Sequence, residues 1–498
     1  MTYRSSVSRK SKVKSPKVKV LILGLGQFAG GTGVSSAIYF AKQGADVLVT
    51  DLKTADKLGT NVKTLKRFKN VRFHLGENRI EDLKWADVIV SNPDIKKVLP
   101  IYKEAVRLGK PLINDITVFL EHTPCLTVGI TGTRGKSTTT SWIGDMLKRS
   151  GKRNFVGGNI TLSPLTFLEK LKPNDVAVIE LSSWLLEPCG ANGLSPDIAV
   201  WTNVMADHLN AYDGMEDYAE AKAQIMRNQG ADGIFVANLD DKMVSSYVAD
   251  APGQVRGFSL KKKAGSNAWT SNGWLVLKQG KKIIRVLKID KIGLRGAHNV
   301  LNALAAMVGA DASGATLTGI KESLKNFGGV PYRQQIVAVK RGITFVNDTT
   351  STTPDAAIAA LNSFASVMSV KSFRSVRSDD MIDIRPDRPE GRSPLVHWIC
   401  GGAHKGLDYS LLAKAAKGKN LDIHVLAGTA FDILTGEFKK QKIDFQKAEL
   451  LKDAFDRAVG SAKRGDIVLL SPACASFGLF KNEFDRGDQF NVLVKKWR

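Results

Sequence analysis

The sequence predicts an α/β protein made of three successive segments, each a mostly parallel sheet flanked by helices. Three observations predict it. Apolar runs of strand length alternate with amphipathic stretches of helix length along most of the chain. Two of these runs break into glycine turns, at Gly24-Leu25-Gly26 and within VGITGTRGKSTTTSWIGDML (128–147), and each turn leads into a helical pattern. The alternation then restarts at VPYRQQIVAVKRGITFVNDTTSTTPDAAIAALNSF. A length of 498 residues fits two to four domains.

Bulk properties remove several classes. Hydrophobic residues make up 43% and charged residues 24%, ordinary values for a globular chain. No apolar run approaches the roughly 18–20 residues that span a bilayer, so no membrane span is expected. Residues 1–17 are basic and Ser-rich and lack the apolar core of a secretory signal. They read as a disordered basic tail, with a transit peptide as the alternative. Cys125, Cys189, Cys400 and Cys474 are widely spaced, form no metal-type pair and suit a reducing cytoplasm. The net charge is +24, but apart from the tail and SLKKKAGS the lysines are scattered, without an aromatic-interleaved RNA motif. Positive potential also serves an enzyme with polyanionic substrates, and no nucleic-acid partner is expected.

In the first segment, 18–122, a buried strand at 18–23 enters the Gly24/Gly26 turn. An amphipathic helix follows, and then a strand ending at Asp51. This is the nucleotide-binding unit of a doubly wound sheet, in which glycines let a ligand approach a helix N-terminus. The turn GQFAGGTGVS is longer than usual. A Rossmann-like unit that binds nothing there is the competing reading. ADVIVSNPDI, IYKEAVRLG and PLIND continue the alternation.

The second segment, 123–329, opens with the Gly-Lys-Ser-Thr stretch. The strict phosphate-loop pattern is Gly, four residues, then Gly-Lys-Ser/Thr, and here Ile130 stands where the first Gly belongs. Gly129, Gly132 and Gly135 supply the turn instead. The mechanism survives the change. Amides of Gly132, Thr133, Arg134, Gly135 and Thr138 can cradle phosphates, Lys136 can reach β/γ oxygens, and the Ser137 hydroxyl can ligate Mg²⁺. Glu180 ends the apolar strand VAVIE, His208 follows the strand IAVWTNV, and Lys222 sits on the helix DYAEAKAQIM. Ligands of doubly wound sheets bind at carboxyl ends of strands, so Glu180 and His208 are expected beside the loop, with Glu180 a second Mg²⁺ ligand. Taken singly, a helix cap, a polar turn and a solvated helix residue would explain the three equally well. Between 252 and 295, short pieces rich in Gly, Lys and Ser read as an antiparallel excursion.

The third segment, 330–498, contains HWICGGAHKGLDYSLLAKAA, LDIHVLAG and GDIVLLSPACASFGLF, a further α/β unit. A polar insertion near 370–394 lacks apolar periodicity and reads as mobile. Cys474, between Ala473 and Ala475 at a strand-to-helix turn, is read as a small packed residue rather than a nucleophile.

In this order, TGTRGKSTTT, IELSSWLLE, NVMADHLNAYDGMEDYAEAK, GAHNVLNALAA and LLSPACASFGLFKNEFDRGDQF resemble the Mur ligase family, and the last motif is most like its D-glutamate-adding members. The resemblance covers nearly all of the chain after the tail. It implies three domains: an N-terminal Rossmann-like one for a uridine nucleotide, a central phosphate-loop ATPase and a C-terminal Rossmann-like one. The implied reaction belongs to peptidoglycan precursor synthesis. ATP converts the carboxylate of UDP-N-acetylmuramoyl-L-alanine to an acyl phosphate, which the amine of D-glutamate attacks. The cofactors implied are ATP and two Mg²⁺ ions, and the chain is expected to be a monomer.

Residue by residue, the resemblance implies that Ser137 and Glu180 hold one Mg²⁺. His208 and a carbamylated Lys222 would serve the other, and a carbamate needs a depressed lysine pKa. Asn302, Arg333 and Asp348 would contact ATP. Gly24, Gly26, Thr32, Asp51 and Asn92 would meet the uridine diphosphate, and Asn159 and Ser182 the sugar-peptide. Thr352, Lys405, Ser476 and Phe477 would bind the amino acid, Lys405 supplying charge for a dicarboxylate. Four departures bear on amino-acid identity: Thr350 where a Lys is frequent, Asn210 in place of Asp, Leu185 in place of Gln, and the reordered KNEF around Glu483. They keep open a sibling ligase that adds another amino acid, such as L-glutamate. A non-catalytic nucleotide-binding scaffold and a nucleic-acid-dependent ATPase are the readings from other classes. Retention of Lys136, Glu180 and His208 speaks against the scaffold.

Overall fold

The computed structural model describes residues 17–159, 162–207, 211–294, 297–365, 394–404 and 407–497. His208, Asn210, Lys405, the tail up to residue 16 and the insertion up to residue 393 lie outside them. The chain divides into two compact units, residues 1–291 with 296–324, and residues 292–295 with 325–498.

The first unit holds two sheets. Strands β1 (Lys19–Leu23), β2 (Asp46–Asp51), β3 (Val71–Leu75), β4 (Val88–Ser91) and β5 (Leu112–Ile113) form a parallel sheet in the order β3-β2-β1-β4-β5. The order reverses between β1 and β4, so the crevice beyond their carboxyl ends is the binding edge of such a sheet. β1 and β4 are buried on both faces, as their unbroken apolar runs require.

The second sheet is built from β6 (Leu126–Thr131), β7 (Asn154–Gly158), β8 (Val176–Glu180), β9 (Ile198–Trp201), β10 (Ile234–Asn238), β11 (Gln254–Ser259), β12 (Ser266–Ser271), β13 (Trp274–Gln279) and β14 (Lys282–Lys288). Its order is β14-β13-β12-β11-β10-β9-β6-β8-β7. The expected antiparallel excursion is shorter than the composition suggested. β11 pairs parallel with both β10 and β12, and only β12–β13 and β13–β14 are antiparallel. The six residues after Ser259 loop back to begin β12 alongside β11, held by Ser259 Oγ donating to Lys261 O (2.6 Å) and lying 2.8 Å from Ser266 Oγ.

One apolar cluster runs through both sheets of this unit, from Val20 and Ile22 to Ile179 and Trp201. Burying a side chain of this kind contributes about 1.5–3 kcal/mol. Polar ties reinforce it. Asn114 caps the helix Asp115–His122 by accepting from the Thr117 amide (2.8 Å), and its Nδ2 donates to Leu185 O (2.9 Å) on the helix Ser183–Ala191.

The second unit holds β15 (Gln335–Lys340), β16 (Ile343–Asn347), β17 (Val396–Gly401), β18 (Leu421–Leu426), β19 (Gln446–Ala448) and β20 (Ile467–Leu470), in the order β15-β16-β20-β17-β18-β19. All pairs but the antiparallel β15–β16 are parallel. Among the described residues no helix is long and apolar enough to cross a membrane.

The helix Thr32–Lys42 packs so closely on the β1 turn that a Cβ on Gly33 would lie 2.3 Å from Leu25 O and 2.5 Å from Gly24 O. Gly33→Ala is therefore expected to push the helix off the turn and to cost about 1–3 kcal/mol, an overpacking cost. A urea-unfolding midpoint equal to that of the parent chain would contradict this.

Candidate active site

The loop after β6 is shaped by two glycines in the left-handed half of backbone space, Gly132 (φ 143°) and Gly135 (φ 84°). A Cβ on Gly132 would meet Thr202 Oγ1 at 2.0 Å, and one on Gly135 would meet Asn302 Oδ1 at 2.3 Å. The chain can curl here only without side chains. Thr202 and Asn203, just past β9, fasten the curl. Thr202 Oγ1 and Asn203 Nδ2 donate to Arg134 O (2.7 and 2.9 Å), and Asn203 Oδ1 accepts from the Arg134 amide (2.9 Å). Thr133 donates its amide to Asn203 O (3.0 Å). The helix Lys136–Arg149 starts directly after Gly135, so its first amides face the curl. Lys136 Nζ donates to Gly132 O (2.8 Å) and Thr133 O (3.1 Å), which puts an ammonium inside the curl. Ser137 is buried on the first turn and Thr138 is the next helical residue, while the Arg134 side chain is exposed.

β8 pairs with β6 so that Glu180 stands opposite Ile130, one residue before Thr131 at the strand end. Glu180 is buried. Its Oε1 accepts from Asn159 Nδ2 (3.1 Å), and its Oε2 has no hydrogen-bond partner among the described residues. Thr131 Oγ1 and Ser182 Oγ are buried in the same condition, at the ends of the same two strands. A buried carboxylate oxygen without a donor is costly unless a cation or proton satisfies it. Together with the Ser137 hydroxyl this oxygen donor set suits Mg²⁺, a hard cation.

Lys222 lies on the helix Met215–Arg227 and is 1% exposed, so the solvated-helix alternative is wrong. The helix turns its Tyr218, Ala219, Lys222 and Ala223 side inward at i, i+4 spacing, and this carries the lysine into the core. Lys222 Nζ donates to Gly132 O (3.3 Å) and sits 4.3 Å from the Tyr218 ring centroid. Burial, and then the neighbouring charge of Lys136, push its pKa down to about 7, with Asp207 opposing. Asn302, on the helix Ala297–Ala312, is buried against Gly135 and donates Nδ2 to Asn299 Oδ1 (3.1 Å). Lys136, Ser137, Glu180, Lys222, Asn159, Ser182 and Asn302 thus gather at the carboxyl edge of the second sheet. His208 lies outside the described residues, one position beyond Asp207.

At the first sheet, Gly24, Gly26, Asp51 and Asn92 meet in the β1/β4 crevice. Asp51 Oδ2 accepts from the Gly26 amide (3.0 Å), and Asn92 Nδ2 donates to Gly24 O (3.2 Å). Thr32 Oγ1 donates to Asp115 Oδ1 (3.1 Å), and burial raises the Asp115 pKa against the Ser163 and Thr32 hydroxyls.

In the second unit, Asp348 follows β16. Its Oδ2 accepts from Ser471 Oγ (2.8 Å) and its Oδ1 from the Gln334 amide (2.9 Å). Burial pushes its pKa up to about 7 despite those donors and Arg333. Thr352 is half-buried, Ser476 buried and Phe477 49% exposed. Thr350 Oγ1 donates to Tyr332 O (2.9 Å). Burial raises the Cys474 thiol, and its Sγ bonds Tyr409 Oη (3.4 Å), so this residue packs. The fully buried Arg486 ties the loop after β16 to the turn after β20, donating to Thr349 Oγ1 (3.0 Å), Thr349 O (2.8 Å) and Cys474 O (3.2 Å).

Sequence reasoning missed Thr202, Asn203, Tyr218, Asp115 and Arg486. A polar pair directly after a buried strand, as in IAVWTN, was the available signal for the first two.

Comparison with known proteins bears on the family and the fold. The family model described as the Mur ligase middle domain matches residues 130–310, and that described as Mur ligase MurD-like, N-terminal domain, matches residues 18–114. A UDP-N-acetylmuramoylalanine–D-glutamate ligase of Roseiflexus sp. (strain RS-1) is 34% identical over 494 residues, covering 96% of this chain and 98% of its own. The ligase of the same description from Pelotomaculum thermopropionicum is 33% identical over 476 residues, covering 96% and 97%. Among solved structures, the UDP-N-acetylmuramate–alanine ligase MurC of Thermotoga maritima is similar in fold, with a TM-score of 0.52 at 20% identity, covering 96% of this chain and 99% of its own.

With its pKa depressed from 10.5, Lys222 binds no proton in the folded state between pH about 7 and 10.5, while the unfolded chain does. Stability then rises with pH across that window, by up to about 1.4 kcal/mol per pH unit. In CO₂-free buffer, the unfolding free energy of the parent minus that of Lys222→Met should climb from pH 7 toward pH 10. A flat difference would mean that Lys222 titrates normally.

Proposed function

The chain belongs to the Mur ligase family, and on that premise we propose that it joins D-glutamate to UDP-N-acetylmuramoyl-L-alanine, with ATP converted to ADP and phosphate, in peptidoglycan precursor synthesis. The observation that carries the reading is the meeting of Lys136, the Glu180 oxygen that has no partner among the described residues and the buried Lys222 around one phosphate loop. Near-full-length identity to D-glutamate ligases supports the choice of amino acid.

A carboxylate resists attack by an amine because its leaving group would be oxide. Attack of the substrate carboxylate on the γ-phosphorus, with departure of ADP, forms an acyl phosphate. The D-glutamate nitrogen then bonds to the carbonyl carbon as the carbon–oxygen bond to phosphate breaks and the nitrogen loses a proton. Such chemistry is mostly alignment and charge neutralisation. Lys136 and the amino end of the helix Lys136–Arg149 orient the phosphates, whereas the Thr133 and Arg134 amides, expected from the sequence to take part, are bonded to Asn203 instead. Ser137 and Glu180 would hold one Mg²⁺, and His208 with a carbamylated Lys222 a second. When bound, these ions neutralise phosphate charge. The depressed Lys222 pKa supports carbamylation, since carbon dioxide reacts with the neutral amine.

The proposal assigns Gly24, Gly26, Thr32, Asp51 and Asn92 to the uridine diphosphate, and Asn159 and Ser182 to the sugar-peptide. Asn302, Arg333 and Asp348 are assigned to ATP, and Thr352, Lys405, Ser476 and Phe477 to D-glutamate. The working division is 18–122 for the nucleotide substrate, 123–329 for ATP and 330–498 for the amino acid. The need for ATP and a nucleotide-linked sugar assigns the reaction to the cytoplasm.

The direct test is phosphate release with ATP, Mg²⁺ and UDP-N-acetylmuramoyl-L-alanine. D-glutamate should stimulate it, and L-glutamate, D-aspartate and L-lysine should not. Faster release with L-glutamate would make the chain a sibling ligase.

Lys222→Ala should lose at least about a hundredfold in kcat, as when an aligned charge-stabilising group is removed. Acetate should partly restore it by supplying the missing carboxylate. Full activity of the variant without acetate would refute the carbamate.

A further inference from the structure

A cluster that the ligase reaction leaves unused lies in the second unit. His397 is the second residue of β17, Asp422 is its register partner on β18, and His424 lies two residues farther along β18. The three side chains therefore share one sheet face. His397 and His424 are fully buried. This is the amino end of the strands, whereas Asp348 and Ser471 follow the carboxyl ends of β16 and β20.

His397 Nδ1 and His424 Nε2 both point at one oxygen, Asp422 Oδ2, at 2.8 and 3.1 Å. The three atoms lie within 4.8 Å of one another. Ser461 Oγ, at the end of the helix Leu451–Ser461, is 3.4 Å from His397 Nδ1 and 3.3 Å from Asp422 Oδ2. On the far side of the first ring, His397 Nε2 is 3.7 Å from Asp466 Oδ2.

The far ring nitrogens decide between two accounts. If both rings donate protons to Asp422 as neutral imidazoles, His397 Nε2 and His424 Nδ1 become acceptors. Both are buried with no hydrogen-bond partner among the described residues. Two orphaned acceptors are costly. If a cation takes the near lone pairs instead, the far nitrogens carry the protons, His397 Nε2–H faces the Asp466 carboxylate, and among the described residues one group, His424 Nδ1–H, is left without a partner rather than two. A carboxylate behind a metal-bound histidine is the usual arrangement for fixing the ring. Tetrahedral Zn²⁺ with ligands about 2.0–2.2 Å away sets them roughly 3.4 Å apart, so each ring nitrogen would have to draw back from Asp422 Oδ2 by a few tenths of an ångström and the two ring nitrogens, within 4.8 Å of each other, to settle at the same spacing.

We propose that His397, Asp422 and His424 form a structural site for Zn²⁺ or a similar divalent transition metal, with Ser461 or water as fourth ligand and Asp466 orienting His397. Two imidazoles select such a metal over Mg²⁺. The bound ion would staple β17, β18 and the helix Leu451–Ser461.

The test uses the full chain, stripped with EDTA and returned to buffer with excess Mg²⁺, then titrated with Co²⁺ alone. The expected result is saturable uptake with the intense visible bands of tetrahedral Co²⁺, bleached by Zn²⁺. Asp422→Asn, close in shape but uncharged, should weaken uptake at least about tenfold, and Asp466→Asn about tenfold. Glu180→Gln, at the nucleotide loop, should leave spectrum and affinity unchanged. Zn²⁺ should also raise the unfolding temperature of the parent but not of Asp422→Asn. Absence of a saturable tetrahedral spectrum in the parent overturns the site, whether or not the variants fold. So does a parent-like titration of Asp422→Asn, or loss of the spectrum in Glu180→Gln.

Discussion

Everything proposed at the second sheet depends on a backbone curl that admits no side chain. Gly132 and Gly135 hold conformations that other residues rarely adopt, and the space where their side chains would be is taken by Thr202 and Asn302. Closure of the curl sets the helix Lys136–Arg149 with its amino end toward the phosphates and folds Lys136 back into the turn. A dipole end and one ammonium then converge on one small volume. The missing first glycine of the strict motif matters little, because Ile130 is still inside β6, where an apolar residue packs.

Around that curl the protein keeps polar groups that water would otherwise satisfy. Glu180 is buried with one oxygen unpartnered among the described residues, and Lys222 is buried beside a second lysine. Neither arrangement stabilises the fold on its own. Both fit the ligands proposed above: a cation for the carboxylate, and for the neutral amine carbon dioxide, whose anionic carbamate would then take a cation. The strain belongs to the chemistry rather than to the architecture, as is common at functional sites. The apolar cluster shared by the first two sheets offsets it.

Much of this was legible in the sequence because it follows period and punctuation. β1, β2, β6 and β8 are short apolar runs closed by Gly24, Asp51, the Gly-Lys-Ser turn and Glu180, and a parallel sheet brings such ends to one edge. What stayed hidden depends on tertiary geometry. Lys222 reads as a solvated residue within DYAEAKAQIM until the helix is seen to turn that face inward over Tyr218. The roles of Thr202 and Asn203 rest on β9 lying beside β6, a neighbour relation that local pattern does not encode. Arg486 looks like a surface charge in a polar helix, yet it is buried and bonded to two separate turns. The parallel β11–β12 pair escaped because the return of the chain through residues 260–265 is set by contacts such as Ser259–Ser266, which composition does not encode.

The central claim is that the loop exists to activate a carboxylate. Oxygen transfer measures this most directly. The chain would be supplied with ATP, Mg²⁺, D-glutamate and UDP-N-acetylmuramoyl-L-alanine carrying ¹⁸O in its terminal carboxylate, and the released phosphate read by mass spectrometry. An acyl phosphate passes one carboxylate oxygen to phosphate in each turnover, so the account predicts one ¹⁸O in every phosphate formed from doubly labelled substrate. Amide product accompanied by unlabelled phosphate would contradict it.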